Sequence, residues 1–232
     1  MKLSVIVPCY NEVKYIREII LRIKLRNPSM DIEIIVVDDN SEDGTKSELN
    51  TLKNENKIDH LVFNHKNMGK GFCIREGIKL CSGQVILIQD ADLEYDPYEY
   101  KKLVLPIFND QADVVYGSRF VGSDSKRVLY FWHRLANYFL TLLSNMLTNI
   151  NLTDMEVCYK AFRSDVIKQI SLEENRFGFE PEVTAKISKI KDIRIFEVGV
   201  SYFGRTFSEG KKIRWKDGVS AVRCIVYYNL FR

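Results

Sequence analysis

Short apolar runs alternate with segments that carry an apolar residue every third or fourth position through the first half of the chain. Residues 3–7 form one such run, ended by Pro8. Val13, Ile16, Ile19, Ile20 and Ile23 then fall on one face of a helix that Asn11 is placed to cap. Asn27, Pro28 and Ser29 break that helix. The next run, 32–37, is rich in β-branched residues without polar alternation, the pattern of a strand buried on both faces. Asp43 and Gly44 mark a turn, and a polar helix is expected to about Lys53. A strand at 58–63, a helix at 71–80, a strand at 85–89, a helix from Pro97 to about Phe108 and a strand at 114–116 complete the series. Beyond residue 120 the rhythm is looser. The pattern predicts a long aromatic helix at 128–150, a strand at 158–162, helices at 163–170 and 180–190, and a strand at 193–198. A basic, glycine-punctuated loop at 204–218 and an apolar helix at 219–230 follow.

Strands alternating with helices predict an α/β fold, a mostly parallel doubly wound central sheet flanked by helices. Such sheets bind ligands beyond the carboxyl ends of their strands. The polar stretches that follow the first four strands, 8–12, 38–43, 64–70 and 90–96, are therefore expected to converge on one crevice.

Composition adds exclusions. With 46% hydrophobic and 28% charged residues the chain is of ordinary globular make-up, which excludes disorder. A net charge of +3, from 34 basic against 31 acidic residues, is too small a surplus to indicate nucleic acid as a partner. Cys9, Cys73, Cys81, Cys158 and Cys224 form no C-x-x-C pair, which fits reduced cytosolic thiols better than disulfides or a zinc site. No leader peptide is visible, and no run reaches the ~20 apolar residues needed to span a bilayer. The nearest stretch, 128–150, is interrupted by His133, Arg134, Asn137, Asn145 and Asn149. The expectation is a cytoplasmic protein, peripheral at a membrane.

Three clusters carry candidate chemistry. Asp90-Ala91-Asp92-Leu93-Glu94 directly follows a predicted strand. Its alternating carboxylates suit either a hard divalent cation, which takes one or two carboxylates plus substrate phosphates, or a solvated acidic turn. Asp38-Asp39-Asn40-Ser41-Glu42-Asp43-Gly44-Thr45 offers an acid to a ribose hydroxyl or a base N–H, or simply a helix cap. Asn67-Met68-Gly69-Lys70-Gly71 opens a helix where backbone could approach an anion, or forms an ordinary turn. It matches neither the P-loop nor the dinucleotide fingerprint, so a P-loop ATPase and a Rossmann dehydrogenase are not supported.

Taken in order, Pro8-Cys9-Tyr10-Asn11-Glu12, the Asp38–Thr45 run, Gly69-Lys70-Gly71 and Asp90-Ala91-Asp92 resemble family-2 glycosyltransferases of the GT-A fold. Gly117-Ser118-Arg119-Phe120, Thr153-Asp154, Tyr159-Lys160-Ala161-Phe162 and Phe179-Glu180 narrow the resemblance to the dolichol-phosphate mannose synthase-like, polyprenyl-phosphate branch. The resemblance covers nearly the whole chain and is strongest to about residue 120. It implies a nucleotide-sugar-binding half over 1–120 and an acceptor-binding, membrane-proximal part over 121–232 of the same domain.

By position, the resemblance implies that Pro8, Tyr10, Glu12, Val37 and Asp39 hold the base and ribose of a GDP- or UDP-sugar, with Lys70, Asp90, Ala91 and Asp92 also in the donor site. It implies that Asp92 and Glu94 ligate Mg²⁺ or Mn²⁺, although many relatives carry Gln where Glu94 stands. Arg205 and Lys211 match an Arg and a Lys that grip the diphosphate, and Arg119 matches a basic residue beside the acceptor phosphate, with Arg134 as a second. The implied reaction is inverting, metal-dependent transfer of mannose or glucose to a polyprenyl or dolichyl phosphate.

An acceptor phosphate, with a second pKa near 6, is a nucleophile without a base and needs cations. A hydroxyl acceptor would need a base, for which Glu180 and Asp154 are the candidates. Their structural alternatives are helix capping and pairing with a cation. The aromatic stretch 128–150 reads either as an interfacial helix or as a core or dimer helix. The lipid acceptor favours the interface, reached by peripheral association, through a membrane-anchored partner subunit or homodimer, or through a segment absent from a shortened chain. A hydroxyl acceptor is the nearest rival reading. A sugar-phosphate nucleotidyltransferase would show a glycine-rich loop near the N-terminus, and 8–12 contains no glycine. A non-catalytic nucleotide-sugar sensor would not need the acidic and basic clusters intact.

Overall fold

A computed structural model describes residues 1–27, 29–122, 127, 128, 130–205 and 215–232, apart from the side chains of 215 and 216. Its centre is β1 (Lys2–Cys9), an apolar run buried along most of its length. β1 pairs in parallel with β2 (Asp31–Asp38) on one side and with β4 (Val85–Ile88) on the other. β3 (His60–Phe63) extends the sheet beyond β2. The full order of the seven strands is β3-β2-β1-β4-β6-β5-β7, with β5 at Val114–Ser118, β6 at Lys160–Arg163 and β7 at Ile195–Gly199. The chain winds outward from β1 to β3 and then crosses back to β4. The winding direction therefore reverses between β1 and β4, and the carboxyl ends of those strands open a crevice.

Helices cover both faces. They are α1 (Ile16–Arg26), α2 (Thr45–Asn54), α3 (Lys70–Leu80), α4 (Tyr100–Phe108), α5 (Phe131–Thr148), the short α6 (Ser164–Lys168), α7 (Phe179–Ser188) and α8 (Trp215–Leu230). Of the apolar face read from the sequence, Ile16, Ile19, Ile20 and Ile23 are wholly buried in the core, whereas Val13 precedes the helix and is exposed.

Two expectations change. Asn11 does not cap α1, whose first residue is Ile16 with no side-chain cap. It turns the β1–α1 corner at φ 51°, and its side-chain carbonyl accepts from the Glu42 N–H at 2.8 Å. A short polar side chain tolerates that left-handed geometry better than most. Residues 215–218, expected in a loop, form the first turn of α8.

The strand expected at 158–162 forms as β6, but it runs antiparallel between β4 and β5. The cause lies in the return path from α5. Ser118 Oγ lies 2.6 Å from Thr153 Oγ1, and the Arg119 N–H donates to Asp154 at 3.1 Å. The chain thus comes back along the carboxyl edge and must enter the sheet from there. Residues just before β6 are delivered to the crevice rather than to the opposite edge.

Candidate active site

The nucleotide end of the crevice is built from the β1 and β2 corners. The Glu12 N–H donates to Thr45 Oγ1 at 3.0 Å, and the Asn11 N–H to Ser41 Oγ at 2.8 Å. Pro8 and Tyr10 are half-buried at the end of β1, and Val37 is wholly buried in β2. Asp39, 3% exposed, accepts from Asn64 Nδ2 at 2.8 Å, the Met68 N–H at 2.8 Å and the Gly69 N–H at 2.7 Å. It fastens the 64–69 loop to the end of β2.

The glycines around Lys70 serve a contact that the sequence did not indicate. Gly69 has φ +102°, and a Cβ there would stand 2.4 Å from the Asn175 carbonyl oxygen. A Cβ on Gly71 would stand 2.3 Å from the Glu174 carbonyl oxygen. The Phe72 N–H donates to Asn175 O at 3.0 Å. The amino end of α3 is therefore covered by the 174–176 backbone, and the close approach that the glycines permit is to protein. Lys70 itself reaches the crevice, with Nζ 3.0 Å from Asp90 Oδ1 and 3.1 Å from Glu180 Oε1. Burial opposes its charge, but Asp90 and Glu180 outweigh burial and hold the lysine well above its ordinary range. Asp90 is lowered in turn: burial opposes its charge, and Lys70, with Cys158 and Arg205, together outweigh burial.

Arg205 occupies the centre. Its Nη1 and Nη2 lie 3.1 and 3.2 Å from the two Glu12 oxygens, and Nη2 lies 2.6 Å from Asp92 Oδ2. Its Nε is 3.5 Å from Glu94 Oε1, and its guanidinium sits 5.6 Å from the centre of the Tyr15 ring. The segment carrying it is docked on the turn after β4. Glu94 accepts from the Arg205 N–H at 2.7 Å and from Tyr202 Oη at 2.9 Å, and Glu99 accepts from the Ser201 N–H and hydroxyl at 2.9 Å. Burial, then Asp90 and Glu94, push the Asp92 carboxyl up to about 8, and Arg205 only partly offsets them. Five carboxyl groups, Glu12, Asp90, Asp92, Glu94 and Glu180, thus face two cations, Arg205 and Lys70.

Such an excess of hard oxygens fits a divalent cation. Among the described residues no three His, Cys, Asp or Glu side chains form a metal cage. Mg²⁺ commonly takes one or two carboxylates and draws further ligands from substrate phosphates. Asp92 and Glu94 are the carboxyl groups of this turn that Arg205 engages, at 2.6 and 3.5 Å.

A second cluster lies beyond β5. Arg119 meets Asp154 through Nε at 2.6 Å and Nη2 at 2.7 Å, and Asn137 bonds to both. Asp154 is wholly buried, and both of its oxygens are engaged. The Arg119 guanidinium also lies 5.3 Å from the Tyr202 ring centre. Arg134, exposed on α5, lies 5.7 Å from the Phe120 ring and lines a groove of about 330 Å³ with Tyr138, Leu142 and Asn145. Of the 18 residues of α5 only Thr141 and Ser144 are buried, while Phe131, Trp132, Tyr138, Phe139 and Met146 stand out from the molecule. A wholly buried core helix is thereby ruled out. No helix among the described residues is long and apolar enough to cross a membrane.

The structure thus brings Glu12, Lys70, Asp90, Asp92, Glu94, Glu180 and Arg205 into one linked set and holds Arg119 with Asp154 in another. Lys211 lies outside the described residues. Sequence reasoning missed Glu99 and Glu156, and it places Tyr202 on the membrane-facing surface, whereas Tyr202 is buried and donates to Glu94. Glu156 carries a buried, unbonded oxygen in the return to β6. Its only signal was an acid two residues before a predicted strand, at what a parallel sheet would make the wrong end.

Comparison with known proteins agrees with this geometry. Residues 4–171 match the model of Glycosyl transferase family 2. A dolichol-phosphate mannosyltransferase of Pyrococcus furiosus is 30% identical over 219 residues, 92% of this chain and 61% of the relative. An undecaprenyl-phosphate mannosyltransferase of Micrococcus luteus is 28% identical, over 91% of this chain and 87% of the relative. The chain thus spans less than two thirds of the Pyrococcus protein's length. Among solved structures, glucosyl-3-phosphoglycerate synthase from Mycobacterium tuberculosis, in complex with Mn²⁺, UDP and phosphoglyceric acid, superposes with a TM-score of 0.76 at 15% identity. That match covers 100% of this chain and 79% of the other. The shared fold is the GT-A type.

Proposed function

The chain belongs to glycosyl transferase family 2, and from that premise we propose that it moves one hexose, mannose or glucose, from a GDP- or UDP-sugar to a polyprenyl or dolichyl phosphate. The observation that carries this reading is the meeting of Arg205 with Glu12 from β1 and with Asp92 and Glu94 from the turn after β4. A guanidinium held among carboxylates at a switch point is poised to exchange partners. Asp92 would be free to hold a divalent cation once Arg205 turns from it to the diphosphate of the donor.

In the displacement, an oxygen of the acceptor phosphate forms a bond to the anomeric carbon. The bond to the diphosphate oxygen breaks, and the nucleoside diphosphate leaves with the electron pair. Inversion follows from this single in-line step. Asp92, with Glu94, holds Mg²⁺ or Mn²⁺, which supplies positive charge to the leaving diphosphate. Arg205 and Lys211 neutralise the rest of that charge, fixed donors in a partly dry site being worth far more than in water. Arg119, its Nε and Nη2 set by Asp154, presents Nη1 to the acceptor phosphate, with Arg134 beside it. Asp154 spends both oxygens on holding Arg119, so of the two candidate bases it is the one committed to positioning the acceptor-phosphate cation. The outward aromatic face of α5 suits the headgroup boundary, where rings with polar edges are favoured, and supports peripheral association with a membrane, on our reading at its cytosolic face.

Transfer of labelled sugar into organic-extractable lipid tests the reading. The assay holds Mg²⁺ or Mn²⁺, a short polyprenyl phosphate, and GDP-mannose, UDP-glucose or UDP-N-acetylglucosamine in parallel. One donor is expected to label the lipid, with the signal abolished by chelator and by Asp92→Ala. Metal-dependent release of nucleoside diphosphate without labelled lipid would discard the polyprenyl acceptor.

A further inference from the structure

We infer that Glu156 and Glu180 form the seat of the transferred sugar and select a neutral hexose over a hexuronate. This rests on reading the crevice as a nucleotide-sugar site. Glu180, in the first turn of α7, is 4% exposed and bonds Lys70 through Oε1, while its Oε2 has no partner. Glu156 likewise has a buried, unbonded Oε1. Buried carboxyl oxygens are rarely left without a donor, and here two occur on elements that meet. They lie close enough that Glu180 is the charge Glu156 feels most, followed by Lys160, Arg119 and Asp154.

That neighbourhood fixes the pair's position. Through Lys70, Glu180 is tied to Asp90 at the donor end. Glu156 borders the Arg119–Asp154 cluster at the acceptor end. In an in-line displacement the moving group lies between leaving diphosphate and attacking phosphate, so it must cross this interval. A hexose there presents ring hydroxyls, each both donor and acceptor. Glu180 Oε2, left without a partner while Oε1 bonds Lys70, can accept from them. Glu156, pushed up to about 8 by burial and by Glu180, carries a proton at neutral pH and can also donate.

A hexuronate would bring its own carboxylate to the same place. Among the described residues, the cations that Glu156 and Glu180 face already have partners. Lys70 serves Asp90 and Glu180, Arg119 serves Asp154, and Lys160 donates to the Val157 carbonyl with its Nζ 5.1 Å from the Tyr116 ring centre. The extra anion would face Glu180 without compensation.

The test is calorimetric binding to the full chain with Mn²⁺, using GDP, UDP, GDP-mannose, GDP-mannuronate, UDP-glucose and UDP-glucuronate. Wild type is expected to bind the preferred nucleotide-hexose at least about tenfold more tightly than the matching hexuronate. Glu180→Gln and Glu156→Gln are each expected to weaken the nucleotide-hexose about fivefold or more. Both variants should bind the bare nucleoside diphosphate as wild type does, which also reports that they are folded. In Glu180→Gln the gap to the hexuronate should narrow. Unchanged hexose binding and unchanged discrimination in both variants would overturn the sugar seat while leaving the donor site standing. Failure of the wild type to bind any nucleoside diphosphate or nucleotide sugar would overturn the underlying reading, and the sugar seat with it.

Discussion

Arg205 and Asp92 stand 113 positions apart in sequence, yet Nη2 of one lies 2.6 Å from Oδ2 of the other. The contact joins the end of the sheet's fourth strand to the segment after its last. It is held from outside by Glu94 and Glu99, which grip residues 201–205 through backbone and hydroxyl bonds.

Arg205→Ala leaves Glu12, Asp92 and Glu94 facing one another without their common cation. Removing one member of a buried ion pair costs about 3 kcal/mol, so the metal-free melting temperature should fall. Mg²⁺ or Mn²⁺ should restore more stability to the variant than to the wild type, and sugar transfer should drop about 100-fold or more. Melting curves with and without metal, beside turnover, check this. An unchanged metal-free melting temperature would deny Arg205 its charge-balancing role.

Glu33 predicts an acid limb to stability. Its carboxylate accepts from Ser4 Oγ at 2.6 Å and from the Ser82 N–H and hydroxyl at 2.9 and 2.8 Å. Burial opposes the charge, but these bonds, Ser4 first, and Lys2 outweigh it and hold the pKa at about 2. A pKa lowered on folding contributes stability that is present above the unfolded value, 4.5, and is lost as pH falls through about 2. Glu33→Gln should therefore cost about 3 kcal/mol at pH 7 and little near pH 2. Denaturant unfolding at several pH values would show the two curves converge in acid.

Trp132→Ala combined with Phe139→Ala should leave the fold intact, since these side chains are 73% and 59% exposed. Each ring forfeits about 1.5–3 kcal/mol of burial at a membrane surface. Co-sedimentation with anionic vesicles should therefore weaken at least about tenfold. Equal sedimentation of wild type and variant would remove α5 from the membrane contact.

Gly71→Ala should be destabilising although alanine favours helices. The added methyl would lie 2.3 Å from the Glu174 carbonyl oxygen and must push back the 174–176 backbone that covers α3. A loss of about 1–3 kcal/mol is expected. Because Glu174 and Glu180 belong to connected segments, donor binding should weaken as well. Stability at or above wild type would mean that the covering segment is not tightly packed.

Local pattern determined much of this molecule. The buried strands at β1 and β2, the isoleucine face of α1 and the acidic turn after β4 were legible because each depends on residues a few positions apart, and side-chain period and turn chemistry act over that range. The crevice followed from a general rule of parallel sheets, and the motifs around it named the family. Tertiary structure alone decided the rest. No period in residues 149–163 reveals that β6 runs against its neighbours. That direction is set by where α5 returns the chain, and it brings Glu156 to the crevice. Nothing near Gly69 and Gly71 announces the backbone of 174–176, which arrives from about a hundred residues away. Arg205 reads in sequence as one charge in a basic loop, and only the docking of 201–205 on Glu94 and Glu99 turns it into the cation that three carboxylates share. Short-range order is written in spacing, whereas a site made of distant charges exists only once the sheet has fixed where its strands end.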